Sequence, residues 1–308
     1  MNTPARVAAF ALGLTAVFGA SLGVGAAVGP VDAEPAADDH TDGGHADDGP
    51  PGTGGAHDDA GHDPAAAGPG VGGLAVSESG HTLDLLTDTL PAGTSTLAFR
   101  VLGPDGAPVT AFDVEHEEDL HLVAVRRDLS GYQHVHPELA PDGTWTVPLD
   151  LTPGSWRVVA DATPTELGEG LVLGADLSVP GDFEPRELPP AAATAEVDGY
   201  TVVLTGHLTA GEESELQLSI SRDGVPITDL QPYLGAYGHL VVLRAGDLAY
   251  LHVHPVDAVP GTAAAPGPHV VFATTPPAAG THRLFLDFRH GDVVRTAEFT
   301  VAVEDPHA

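Results

Sequence analysis

Three histidines fall within the 17 residues "HLVAVRRDLSGYQHVHP" (121–137): His121, His134 and His136. The same three places are histidine in "HLVVLRAGDLAYLHVHP" (239–255), as His239, His252 and His254. Neutral imidazole is the commonest protein ligand for metal ions. A His-x-His pair on one strand, with a third histidine on the neighbouring strand, suits Zn(II) or Cu(II) and leaves a coordination position over. The chain has no cysteine, and its one methionine is residue 1. Imidazole, carboxylate and backbone oxygen are therefore the metal donors on offer.

Strands have to bring these rings together. Leu120 to Arg126 and Tyr132 to Pro137 alternate as strands do, with "RDLS" (127–130) between them as a hairpin loop. In the second copy "GD" (246–247) is a short-turn signal at the equivalent place. Pairing across that turn sets His121 opposite His136, and His239 opposite His254. Residues i and i+2 of a strand share a face, so His134 and His252 join them. Two three-imidazole faces are expected: His121, His134 and His136 on one hairpin, and His239, His252 and His254 on the other. A slip of one residue would turn His121 to the opposite face. The alternative to a metal site is a hydrogen-bonded structural cluster inherited by duplication.

The duplication extends beyond the histidines. "GAPVTAFDVEHEEDLHLVAVRRDLSGYQHVHP" from Gly106 aligns without a gap on "GVPITDLQPYLGAYGHLVVLRAGDLAYLHVHP" from Gly224. Within the 17-residue core nine positions are identical: His121, Leu122, Val123, Arg126, Tyr132, His134, Val135, His136 and Pro137. "PGSWRVVAD" and "AGTHRLFLD" then pair Arg157 with Arg283 and Asp161 with Asp287. An aspartate beside a ligand histidine fixes its tautomer or binds the ion itself, so Asp161 and Asp287 are candidate supporting residues. Ending a strand is their simpler role. His116, His269, His282 and His290 have no partner in the other copy and read as surface residues; His81 and His207 do not align either.

Short alternating runs, broken by Gly, Pro and Asp about every ten residues, predict an all-β chain. We expect two tandem Ig-like β-sandwich domains, at 73–181 and 194–303, joined by a Pro-rich linker at 182–193, with a short tail at 304–308. Ahead of them, "MNTPAR" and the uncharged run from Val7 to Gly29 read as an export signal, or as a membrane anchor if uncleaved, over 1–30. Residues 31–72 are rich in Asp, Gly, Pro and Ala and are expected to be a disordered tether. Its His40, His45, His57 and His62 sit beside aspartates, as a weak metal-gathering tail or as a solvated spacer.

The net charge is −33, with 11 arginines and no lysine, which argues against a nucleic-acid partner. No Ser or Cys nucleophile constellation is present, and no Glu follows either "HVHP" at a cupin-like spacing. A His₃ metal with an open position can activate water, but an enzyme is not the expectation. The expected role is a secreted or otherwise extracytoplasmic metal-binding protein for Zn(II) or Cu(II). Its one partner would be the ion, and its membrane contact would come only through the N-terminal segment. A non-metal envelope or adhesive module is the alternative.

The "HL(x)VxRxDLxxxxHVHP" pattern, matched most closely at 121–137, resembles that of uncharacterised secreted proteins of high-GC Gram-positive bacteria. The second copy departs from it, with "RAGDLA" in place of "RRDLSG". The plan is also loosely similar to periplasmic copper-resistance β-sandwich proteins. The first resemblance implies secreted tandem β domains and brings no activity; the second implies metal handling.

Overall fold

The computed structural model describes residues 71–256 and 265–306. The export segment and nearly all of the acidic tether lie outside the described residues, as do residues 257–264.

Every named element is a strand. The first repeat has β1 (Ser77–Glu78), β2 (His81–Leu85), β3 (Gly93–Leu102), β4 (Phe112–Asp113), β5 (His121–Arg126), β6 (Gln133–Val135), β7 (Glu138–Leu139), β8 (Trp145–Leu151), β9 (Gly154–Pro164) and β10 (Leu171–Val179). The second has β11 (Thr194–Val197), β12 (Tyr200–Thr205), β13 (Leu208–Thr209), β14 (Ser214–Arg222), β15 (Val225–Pro226), β16 (His239–Arg244), β17 (Tyr250–Pro255), β18 (His269–Thr274), β19 (Gly280–His290) and β20 (Val293–Glu304). The chain is thus two tandem all-β domains, each a pair of sheets closed on its own core.

In the first repeat one sheet runs β1-β2-β3-β8-β7 and the other β10-β9-β5-β6, with β4 on β9. The second repeat strings its equivalents into one path, β11-β12-β14-β18-β17-β16-β19-β20-β13. The reason is the "HVHP" strand. β17 pairs with β16 through Val253, then with β18 through His254 and Pro255, and so passes from one sheet to the other. In the first repeat the same segment is broken into β6 and β7 around His136 and Pro137, and β7 pairs with β8. Proline has no N–H to give to a ladder, which favours a break or a sheet edge at this position.

Burial separates two kinds of strand. β8 alternates strictly, with Trp145, Val147, Leu149 and Leu151 buried and the residues between them exposed. That is the pattern of a strand with one face on a core and one in water. β5 is buried at all six positions, and β16 at all but Arg244. Leu122 and Ala124 face the first core, Leu240 and Val242 the second. Val123, Val125, Leu129 and Val159 instead pack with Val241, Leu243, Leu248, Tyr250 and Phe285. This third apolar cluster lies between the repeats, and it buries the outer face of each histidine-bearing sheet.

The N-terminal end of the described chain enters the same seam. Tyr250 donates its N–H to the Gly72 carbonyl (2.9 Å), and Gly73 donates to Val172 (3.1 Å). Arg157 donates to the carbonyls of Gly73 and Leu74. Glycine is required where this strand crosses: a Cβ at Gly174 would stand 2.0 Å from the Gly73 oxygen. The linker is held as well, since Leu188 packs on the third cluster and Arg186 donates its N–H to Asp128.

Candidate metal centre

The hairpin register is the expected one. Leu122 pairs with Val135 and Val123 with His134; in the second repeat Leu240 pairs with Val253 and Val241 with His252. On the other side of each histidine strand, His121 pairs with Asp161 and His239 with Asp287. The loop reaches this register by the same device in both copies. Leu129 (φ 62°) and Leu248 (φ 64°) take the left-handed conformation directly after Asp128 and Asp247, whose carboxylates accept hydrogen bonds from Arg126 and Arg244.

One of the two expected faces forms a compact group. His121, His134 and His136 each offer one ring nitrogen, and these lie within 4.8 Å of one another. Ring centroids are 5.0 Å apart for His121–His136, 5.0 Å for His134–His136 and 5.4 Å for His121–His134. Imidazoles bound at about 2.0–2.1 Å in a tetrahedral site have centroids roughly 5 Å apart, so the spacing already fits a zinc-like ion. His252 and His254 are placed here by backbone pairing alone. His239, the third histidine of that set, lies against the first repeat's cluster, with its centroid 6.5 Å from His134 and 5.4 Å from His116. The first histidine of the second set therefore meets the first repeat's cluster where the repeats join.

In three of the rings one nitrogen is held by a hydrogen bond from behind. His121 donates Nε2–H to the Glu115 carbonyl (3.1 Å), and His134 donates Nδ1–H to the Asp287 carboxylate (2.9 Å). His239 donates Nε2–H toward the carbonyls of Tyr233 (2.9 Å) and Leu234 (3.1 Å). Ligating histidines show this pattern, a carbonyl or carboxylate fixing the tautomer from behind. With those tautomers set, His121 Nδ1 and His134 Nε2 face each other at 3.2 Å as two lone pairs. Two acceptors do not bond; a proton or a metal ion between them closes the contact. His136 Nε2 is buried with no hydrogen-bond partner among the described residues.

Burial keeps two of the rings, His136 and His239, in the neutral, ligating form. Burial lowers the His136 pKa to about 3, helped by the neighbouring His134, His121 and His239. Burial lowers His239 likewise to about 3, with His134 and His116 adding to it and the hydrogen bond to Tyr233 opposing.

Asp161 and Asp287 sit in equivalent places and both reach across the seam. Asp287 accepts from His134 of the first repeat and from Thr296 (2.5 Å). Asp161 accepts from Tyr250 of the second (3.0 Å). Tyr132, the counterpart of Tyr250, stacks on Phe285 at 3.9 Å, and its hydroxyl is buried without a hydrogen-bond partner among the described residues.

Sequence reasoning placed His116 and His282 at the surface, and this is corrected. His282 is 3% exposed and bonds to the Gly280 carbonyl. His116 is half-buried, with its ring edge-on to His121 and His239. It sits at φ 50° in a tight turn with Glu117 (φ 69°); the second repeat repeats that turn as Leu234 and Gly235. The duplication could have shown the shared turn, but not the ring's destination. His269 and His290 bond to Ser219 and Tyr200, outside the seam.

Fold and cluster together define a tandem β-sandwich protein with histidines gathered where its repeats meet. The chain belongs to the family described as a domain of unknown function, DUF8832, whose model matches residues 75–166 and 195–305. No curated protein matches it. Among solved structures it is similar to the Escherichia coli adhesin FdeC, at 14% identity over 75% of this chain and 66% of that one, with a TM-score of 0.24. The fibronectin(III)-like modules of Clostridium thermocellum CbhA match at 10% identity over 73% and 96%, with a TM-score of 0.21. Salmonella alpha-2-macroglobulin matches at 14% over 75% and 15%, with a TM-score of 0.24.

Proposed function

We propose that this protein binds a divalent transition metal, Zn(II) or Cu(II), through His121, His134 and His136, and that it buffers, senses or delivers the ion outside the cytoplasm. One observation carries the reading. His121 Nδ1 and His134 Nε2 stand 3.2 Å apart, each ring held from behind by a carbonyl or carboxylate, beside His136 Nε2, which is buried with no hydrogen-bond partner among the described residues. The donor set excludes thiolate and thioether and suits borderline ions. The extracytoplasmic placement rests on the N-terminal sequence.

The test is calorimetric titration of a chain beginning at Val71, which removes the tether histidines and keeps Gly72 and Gly73. Zn(II) and Cu(II) are titrated separately. Binding at one site, weakened at least about 100-fold in His134→Ala and His136→Ala, is the expected result. Equal binding in parent and variants, or none in either, would leave a proton shared between His121 and His134 as the cation. The chain would then be a metal-free envelope module.

A further inference from the structure

The second repeat brings two side chains to the histidine cluster, Asp287 and His239. We propose that the metal site belongs to both repeats, with Asp287 positioning His134 and His239 bordering the open coordination position, so that one bound ion locks the two repeats together. This rests on the metal reading above.

The contact between His134 and Asp287 joins residues 153 apart in the chain, both buried, at 2.9 Å. Were the repeats to separate, His134 would lose the carboxylate that fixes its Nδ1–H, and its Nε2 would no longer be set toward His121. A neutral imidazole free to change tautomer or rotate is a weaker ligand. His239 comes from the second repeat and is 5% exposed. Its Nε2 is committed to the Tyr233 and Leu234 carbonyls, which leaves Nδ1 as the atom with a lone pair. Its centroid distance of 6.5 Å to His134 exceeds the 5.0–5.4 Å within the trio, so a small inward shift would bring it to an ion. The turns leading into the two histidine strands meet above this point, where a Cβ at Gly235 would touch Glu117.

Anything that binds the docked arrangement more tightly than the separated one stabilises docking by the same free energy. The ion should therefore tighten the valine-rich seam as well as its own ligands.

The experiment uses the full chain with Zn(II), in wild type and in Asp287→Asn, Asp287→Glu, His239→Gln and His134→Ala. Affinity is measured by competition with a chromophoric chelator, and docking by amide hydrogen exchange on β5 and β16. Co(II) absorption in the same variants reports the coordination number independently of folding. The expected result is a loss of about 10- to 100-fold in affinity in Asp287→Asn, partly restored in Asp287→Glu. His239→Gln should change the Co(II) spectrum, and Zn(II) should slow exchange on both strands. Suppose His134→Ala abolishes binding while Asp287→Asn and His239→Gln stay within twofold of wild type, and exchange slows on β5 alone. Sharing is then overturned and the first-repeat site stands. If wild type binds no Zn(II) at all, both fall together.

Discussion

His136 and His239 are held neutral by burial, and the sign of the consequence is fixed. Each has a folded pKa of about 3, against about 6.5 for an ordinary histidine. Between those values the unfolded chain binds protons that the folded chain does not, so acid favours unfolding. The metal-free protein should keep its full stability above pH 6.5 and lose it progressively toward pH 3. Urea midpoints at pH 7.5, 6 and 5 check this. His136→Gln should flatten the slope, and a variant with the wild-type slope would show that the ring is solvated. The chemistry of these residues was legible: imidazoles at repeated spacing, no thiols, and aspartates in matching places. The pairing of partners was not. Asp287 was read as a support for a ligand histidine or as the end of a strand, and the histidine it bonds to is His134 of the other repeat. No spacing within one repeat encodes a contact between two.

The hairpins were legible because period-two alternation and a short turn fix a register, and Val123–His134 and Val241–His252 pair as the turn requires. The strand patterns also mark the face between the repeats. Strands with one solvated face alternate, as β8 does, whereas "HLVAVR" and "HLVVLR" carry apolar residues on both faces. The surplus face is the one that meets the other repeat. Val125 is fully buried there, so Val125→Thr, which puts a hydroxyl into the seam at nearly constant volume, should cost about 1–3 kcal/mol. Chemical denaturation measures it. A cost under about 0.5 kcal/mol, typical of a surface position, would mean that the outer face of β5 is wet in solution.

Two tandem domains joined by a Pro-rich linker were expected, and the family model matches the chain twice, at 75–166 and 195–305. The structure ties them further. Gly72 and Gly73 bond to both repeats, Leu188 of the linker packs into the seam, and nine buried apolar residues join the two halves. The pair should unfold as one cooperative unit. Scanning calorimetry should give a single endotherm whose calorimetric and van't Hoff enthalpies agree; two resolved transitions would show independent domains. Sequence marks a surplus apolar face but not what covers it, because an interface between repeats leaves the same apolar signature as a core. The reciprocity of the seam has one more implication. Tyr132 meets Phe285 while Tyr250 reaches Asp161, and His134 reaches Asp287. Each half offers the other nearly the same surface it receives. A self-complementary patch of this kind is what a two-fold homodimer requires. A chain fused from two copies of a domain that paired with itself would have such a seam. The two sides are no longer identical, with Glu115 and His116 on one where Tyr233 and Leu234 stand on the other.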